Sequence, residues 1–246
     1  MKRYFHALLM CRSMFCAIPC AWHTWDEDAR DKMLLFLPVV GLEIGLLWAL
    51  LALLCWYLAL PAAVTGVVLG AYPFIATGFI HLDGFMDVTD AVRSCRDLAR
   101  RREILKDSHV GSFAVIGIVL LALCQTALFA SAKDTADVWT LLLLPAVSRC
   151  GSALAVTILP PMSTSQYAAQ KKPRSHIVVL CVQLAVYLAA GFLLGWRSGL
   201  ALVGCMCGYA LALRKAYRSL EGMNGDISGY SLTLAELCGA AVWALL

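Results

Sequence analysis

The sequence predicts an all-α, polytopic integral membrane protein, with about seven transmembrane helices and an interfacial N-terminal helix in one domain over residues 1–246. Three observations carry this. The chain is 61% hydrophobic and only 15% charged, with a mean hydropathy of +0.77, far from the balance of a soluble domain. Apolar runs of about 17 to 25 residues, long enough to cross a hydrocarbon core as helices, recur along it. The lysines and arginines gather in alternate gaps between those runs.

Residues 1–20 begin basic, with Lys2 and Arg3, and then turn apolar. A cleaved signal peptide is one reading of such a stretch. Arg12 interrupts the apolar part, however, Pro19 follows soon after, and no small-x-small site leads into an exported domain. An interfacial helix fits better. Seven runs then read as spans: 34–59, 62–80, 112–131, 138–159, 176–196, 199–213 and 230–246. A buried core helix is the alternative for any one of them, most of all for the short sixth.

Seven alternating spans place the segment carrying Lys2, Arg3, Arg12, Arg30 and Lys32 on the same side as the loops around 93–106, 171–174 and 214–218. Seventeen of the twenty lysines and arginines fall on that side, against Lys133 and Arg197 opposite and Arg149 inside the fourth run. The positive-inside rule makes the basic face cytoplasmic. The C-terminus is then outside.

Three carboxylates emerge directly from the second run, in His81-Leu82-Asp83-Gly84-Phe85-Met86-Asp87-Val88-Thr89-Asp90. On a helix Asp83, Asp87 and Asp90 stand at i, i+4 and i+7, stacked on one face. Nothing basic separates them, and charge where a span ends is costly enough to point to function. A divalent cation relieves the repulsion most simply. Magnesium suits it, because it takes hard oxygen ligands and usually combines one or two carboxylates with water and substrate phosphates. Asp83, Asp87, Asp90 and Asp226, which alternation brings to the same face, are the candidate ligands, with Asp90 or Asp87 as candidate base. Lys106 and Asp107 are the next candidates, as phosphate contact and ligand. His81 is read equally as a group orienting Asp83 and as an interfacial histidine. Arg149 needs a partner inside its span, Glu43 or Glu236. Gly111 and Ser112 open the third span, where a helix N-terminus attracts anions.

No zinc or iron–sulfur site is expected from the eleven cysteines; Cys205 and Cys207 lie in an apolar run without a nearby histidine, and no structural disulfide is expected. GxxxxGK and GxGxxG loops are absent, which argues against ATP hydrolysis and a Rossmann domain. No nucleic-acid partner is expected. The polar stretch 163–174, ending in Lys171-Lys172-Pro173-Arg174, reads as a flexible loop able to close over substrate.

Gly78-Phe79-Ile80-His81-Leu82-Asp83-Gly84-Phe85-Met86-Asp87-Val88-Thr89-Asp90, followed by Arg102-Glu103-Ile104-Leu105-Lys106-Asp107-Ser108-His109-Val110-Gly111-Ser112-Phe113, resembles the cobalamin synthase family, the adenosylcobinamide-GDP ribazoletransferases. Ala146-Val147-Ser148-Arg149, Gly225-Asp226-Ile227-Ser228-Gly229 and Leu37-Pro38-Val39-Val40-Gly41, with Gly45 beyond, extend the likeness over most of the chain. The resemblance implies a bacterial inner-membrane enzyme, its active site facing the cytoplasm, that uses magnesium to join adenosylcobinamide-GDP to α-ribazole or its 5′-phosphate with release of GMP. It makes His81, Lys106, Asp107, Ser108, Arg149 and Gly225 candidate substrate contacts beside the aspartates. Homo-oligomers and pathway partners stay open. The chain departs from the family pattern at Cys16-Ala17-Ile18-Pro19, where relatives often carry Thr-Arg-x-Pro, at Ser163-Thr164-Ser165-Gln166-Tyr167, which lacks a Gly-Leu-Gly-like element, and at Thr233, in place of a glutamate.

Two other classes share part of this residue pattern. Aspartates at a membrane face also suit CDP-alcohol or prenyl diphosphate substrates, but the second half of the CDP-alcohol motif, GxxxDxxxD, is missing. A cation transporter would use Glu43, Arg149 and Glu236, yet would place its acids nearer the midplane.

Overall fold

Apolar runs set the helices, and proline and glycine set their breaks, in the computed structural model, which describes residues 2–19, 22, 24–132, 137–163, 165 and 173–246. The helices are α1 (Lys2–Phe15), a 3-10 helix (Glu27–Phe36), α2 (Leu37–Tyr57), α3 (Ala62–Ala76), α4 (Ile80–Arg93), α5 (Leu98–Ile104), α6 (Ser112–Ser131), α7 (Val138–Ile158), α8 (Arg174–Leu194), α9 (Trp196–Leu220) and α10 (Gly225–Leu245). Of the loop 163–174, residues 164 and 166–172 lie outside the described set, as does Lys133.

Helix α7 is the hub, packed against α2, α8, α9 and α10 and buried along most of its length. The approach of α2 depends on two small residues one turn apart. A Cβ on Gly41 would lie 2.5 Å from the Pro145 carbonyl oxygen, and one on Gly45 would overlap that of Leu142. Pro73 in α3 has no N–H, which frees the Leu69 carbonyl to accept the Trp48 indole N–H at 3.0 Å. The outward sides of α2, α6 and α8 stay apolar: Leu50, Leu120, Val182 and Val186 are all exposed. Such a surface belongs against lipid.

Among the described residues, five helices are long and apolar enough to cross a membrane, or six if α3 and α4 count as one span bent by 92°. Two expectations change. The second run does not continue straight to residue 80. Its helix ends at Thr77 in a Schellman motif, with the Gly78 N–H on the Ile75 carbonyl and the Phe79 N–H on the Phe74 carbonyl, and Gly78 in the left-handed region at φ +60. The seventh run forms α10 but is not among the five; it carries Ser228, Ser231, Thr233 and Glu236, all buried against the bundle.

Hydrogen bonds sort the helix ends into two groups. At one end the Met162 N–H reaches the Met223 carbonyl and the Met223 N–H that of Pro160, while Arg102 caps α9 through the carbonyls of Leu220 at 2.9 Å and Glu221 at 2.7 Å. At the other, Ser198 donates to Asp137, and the Trp243 indole reaches the Asp137 carbonyl. Helix α4, with its aspartates, lies at the first end, beside the basic α5.

Candidate functional site

The turn at Gly78 and Phe79 swings α4 across the bundle end, and α4 then docks on the first turns of α10. The contact is backbone to backbone. A Cβ on Gly84 would lie 2.8 Å from the Asp226 Cα and carbonyl oxygen, and one on Gly229 3.0 Å from the His81 carbonyl oxygen. Thr233 adds a hydrogen bond to that same carbonyl at 3.3 Å. These approaches bring acids that are far apart in sequence to one place. Asp83 is exposed and Asp87 half-buried on α4, Asp226 is half-buried on α10, and Asp87 lies within the electrostatic reach of Asp83, Asp226 and Asp90.

Local sequence explains the α10 side. Asn224 caps the helix by accepting the Ile227 N–H at 3.0 Å, and its amide donates to Asp226 Oδ2 at 2.6 Å. Gly225 is the first helical residue, so a carboxylate in the first turn sits in the positive end of the helix dipole. Asp83 stands between two spaces. A cavity of about 540 Å³ opens at the α3–α4 turn, lined by Ser13, Cys16, Thr77, Gly78 and Asp83. A smaller one of about 120 Å³ lies behind, lined by Phe15, His81, Asp83, Ser152, Asp226 and Ser228. Ser152 and Ser228 share a 2.5 Å hydrogen bond. His81 is buried and stacked on Phe15, and its Nε2 has no hydrogen-bond partner among the described residues.

Not every sequence-predicted residue joins the cluster. Asp90 is buried, and each of its oxygens holds the start of α6, accepting the Gly111 N–H at 2.6 Å and the Ala114 N–H at 3.0 Å. The anion at this helix N-terminus is therefore the protein's own carboxylate. Arg149 is completely buried and pairs with Glu236 at 2.8 Å, with Ser148 bridging to the same carboxylate. Glu43 instead holds Arg12 through both oxygens, at 2.7 to 3.0 Å. Lys106, Asp107 and Ser108 are exposed in the loop after α5. There His109, through its backbone N–H and its ring, holds the Asp107 carboxyl below the usual aspartate range. Ser152, Ser228 and Asn224 were missed by sequence reasoning; only Asn224, directly before Gly225 and Asp226, carried a signal, that of a helix cap.

Among the described residues no three His, Cys, Asp or Glu side chains already enclose a metal position, and neither Asp83 nor Asp87 has a basic partner at ion-pair distance. The donor set still fits magnesium. All its atoms are carboxylate oxygens, they are few, and they border open space, as suits an ion that keeps waters and takes substrate phosphate oxygens.

A family model described as cobalamin-5-phosphate synthase matches residues 7–244. The chain is similar to an adenosylcobinamide-GDP ribazoletransferase of Clostridium perfringens, 35% identical with 97% of each chain covered, and to one of Clostridium botulinum, 33% identical over the same shares. A more distant relative of that name, from Corynebacterium diphtheriae, is 27% identical over 90% of this chain and 84% of its own. No solved structure matches the chain.

Proposed function

The chain belongs to the cobalamin-5-phosphate synthase family, and on that premise we propose that it is an adenosylcobinamide-GDP ribazoletransferase whose chemistry runs at Asp83, Asp87 and Asp226. The observation that carries the location is the meeting of α4 and α10 at Gly84 and Asp226, which joins the two acidic segments beside an open cavity.

In the reaction, a ribose hydroxyl of α-ribazole or its 5′-phosphate attacks the phosphorus bonded to the corrinoid arm. The bond from that phosphorus to the oxygen bridging to GMP breaks, GMP leaves with that oxygen, and the hydroxyl proton passes to a base. A magnesium ion held by Asp83, Asp87 and Asp226 would supply charge neutralisation at the diphosphate. Asp87, half-buried and within the electrostatic reach of the other two, is the base in this reading. Asn224 holds Asp226 in position. Asp90 supports the site by fixing α4 against α6 rather than by touching substrate. With the basic end taken as cytoplasmic, both substrates arrive from the cytoplasm, and the 540 Å³ cavity receives the nucleotide end.

The test is direct. The purified chain in liposomes is given adenosylcobinamide-GDP and α-ribazole 5′-phosphate with magnesium. Equal amounts of GMP and cobamide 5′-phosphate are expected, and a chelator should stop both. Turnover of a CDP-alcohol or a prenyl diphosphate, with none of the corrinoid, would overturn the reading.

A further inference from the structure

We infer that the groove between α4, α6, α9 and α10 binds one anionic phospholipid, its phosphate held by Arg93 and Lys215 and an acyl chain lying along α6. The groove, about 560 Å³, lies away from the acid cluster, and none of Asp83, Asp87 or Asp226 lines it. Its walls are apolar: Phe85, Val92, Phe113, Ile116, Leu120 and Leu237 among them. Among the described residues Arg93 and Lys215 are its only charged lining residues and make no ion pair; they come from different helices and are both exposed.

Position and length match a lipid. Arg93 ends α4 and Lys215 lies in the last turns of α9, so both cations sit at the basic end of the bundle, where lipid headgroups meet the helices. From Phe113 to Cys124 the groove follows α6 for about 16 Å at about 1.5 Å per residue. That is one leaflet of a hydrocarbon core about 30 Å thick. Phe113, Ile116 and Leu120 are each about half exposed, so the groove opens sideways to the bilayer. Basic pockets between spans at the cytoplasmic surface suit anionic headgroups. A second copy docked here about a twofold axis would bring the same cations toward each other, which disfavours that occupant.

The test uses the full chain, purified in a neutral detergent and titrated with phosphatidylglycerol or phosphatidylcholine, with bound lipid counted by native mass spectrometry. Arg93→Gln with Lys215→Gln should weaken phosphatidylglycerol about twenty-five-fold, since each cation near an anionic surface is worth about a factor of five, and leave phosphatidylcholine within about twofold. Cys124→Trp, which fills the deep end of the groove, should weaken both lipids. Unchanged phosphatidylglycerol binding in the double variant overturns the proposal, as does equal competition by glycerol 3-phosphate, which has no acyl chain. So does loss of a dimer in Cys124→Trp without loss of lipid. Because the readout is binding, failure here leaves the proposed reaction untouched.

Discussion

Replacing Asp90 with asparagine separates a supporting role from a chemical one. The carboxylate accepts the Gly111 and Ala114 N–H groups in a buried setting. Asparagine keeps one acceptor oxygen and turns an NH2 toward the other donor. Leaving a buried N–H without a partner costs about 1–3 kcal/mol, and removing a negative charge from a helix N-terminus costs a further ~0.3–2 kcal/mol. The expected loss is about 2–4 kcal/mol. At about 2–4 °C per kcal/mol for a chain of this size, the apparent melting temperature in detergent should fall by roughly 4–16 °C. Turnover per folded molecule should fall far less than for the other aspartates. Gly111→Ala is the control, because its Cβ would lie 2.6 Å from both Asp90 oxygens; it should reproduce the melting shift with every carboxylate intact. The assay pairs fluorescence-detected gel filtration after heating with GMP release at a temperature where all forms are folded. An Asp90→Asn protein that melts like wild type but has lost turnover would return Asp90 to the chemistry.

Three further outcomes are expected. Arg149→Met should cost about 3–5 kcal/mol, because it strands buried Glu236, whereas Arg149→Met with Glu236→Leu should regain most of that stability; equal melting of single and double variants would contradict the pairing. Gly84→Ala should push α4 from Asp226 and cut turnover sharply while the chain still elutes as a folded species; full activity would mean that the contact does not set the site. Asp107, whose folded pKa is depressed by His109, gains stabilisation of its ionised form above the unfolded pKa and loses it as pH falls through the folded value. His109→Ala keeps the backbone N–H that is the larger cause and removes only the ring, so the Asp107 titration, followed by NMR of the side-chain carboxyl carbon, should move part of the way up toward the ordinary range; an unmoved titration would remove the ring as a contributor.

The membrane class and the helix positions were legible because they rest on local composition: long apolar runs can bury their backbone polar groups only as helices or barrels. The acid cluster was legible in part. The i, i+4, i+7 spacing placed Asp83, Asp87 and Asp90 on one helix correctly, but spacing cannot tell which carboxylates already have partners. Asp90 is engaged by N–H groups more than twenty residues away, a tertiary fact. The same holds for Arg149, whose choice of Glu236 over Glu43 follows from α7 packing on α10 while α1 delivers Arg12 to Glu43. The sharp bend before α4 did have a local signal in Gly78, which was masked by the apolar residues on both sides.

Asp83 and Asp226 are proposed to act together across the α4–α10 contact, and the decisive assay is magnesium-dependent GMP release from adenosylcobinamide-GDP by wild type, Asp83→Asn and Asp226→Asn in lipid. Asparagine keeps the shape and removes the charge. Both variants should melt close to wild type and lose at least about a hundredfold in turnover, in the range seen when one electrostatic group of an active site is removed. Wild-type turnover at unchanged magnesium dependence in either variant would remove that carboxylate from the site.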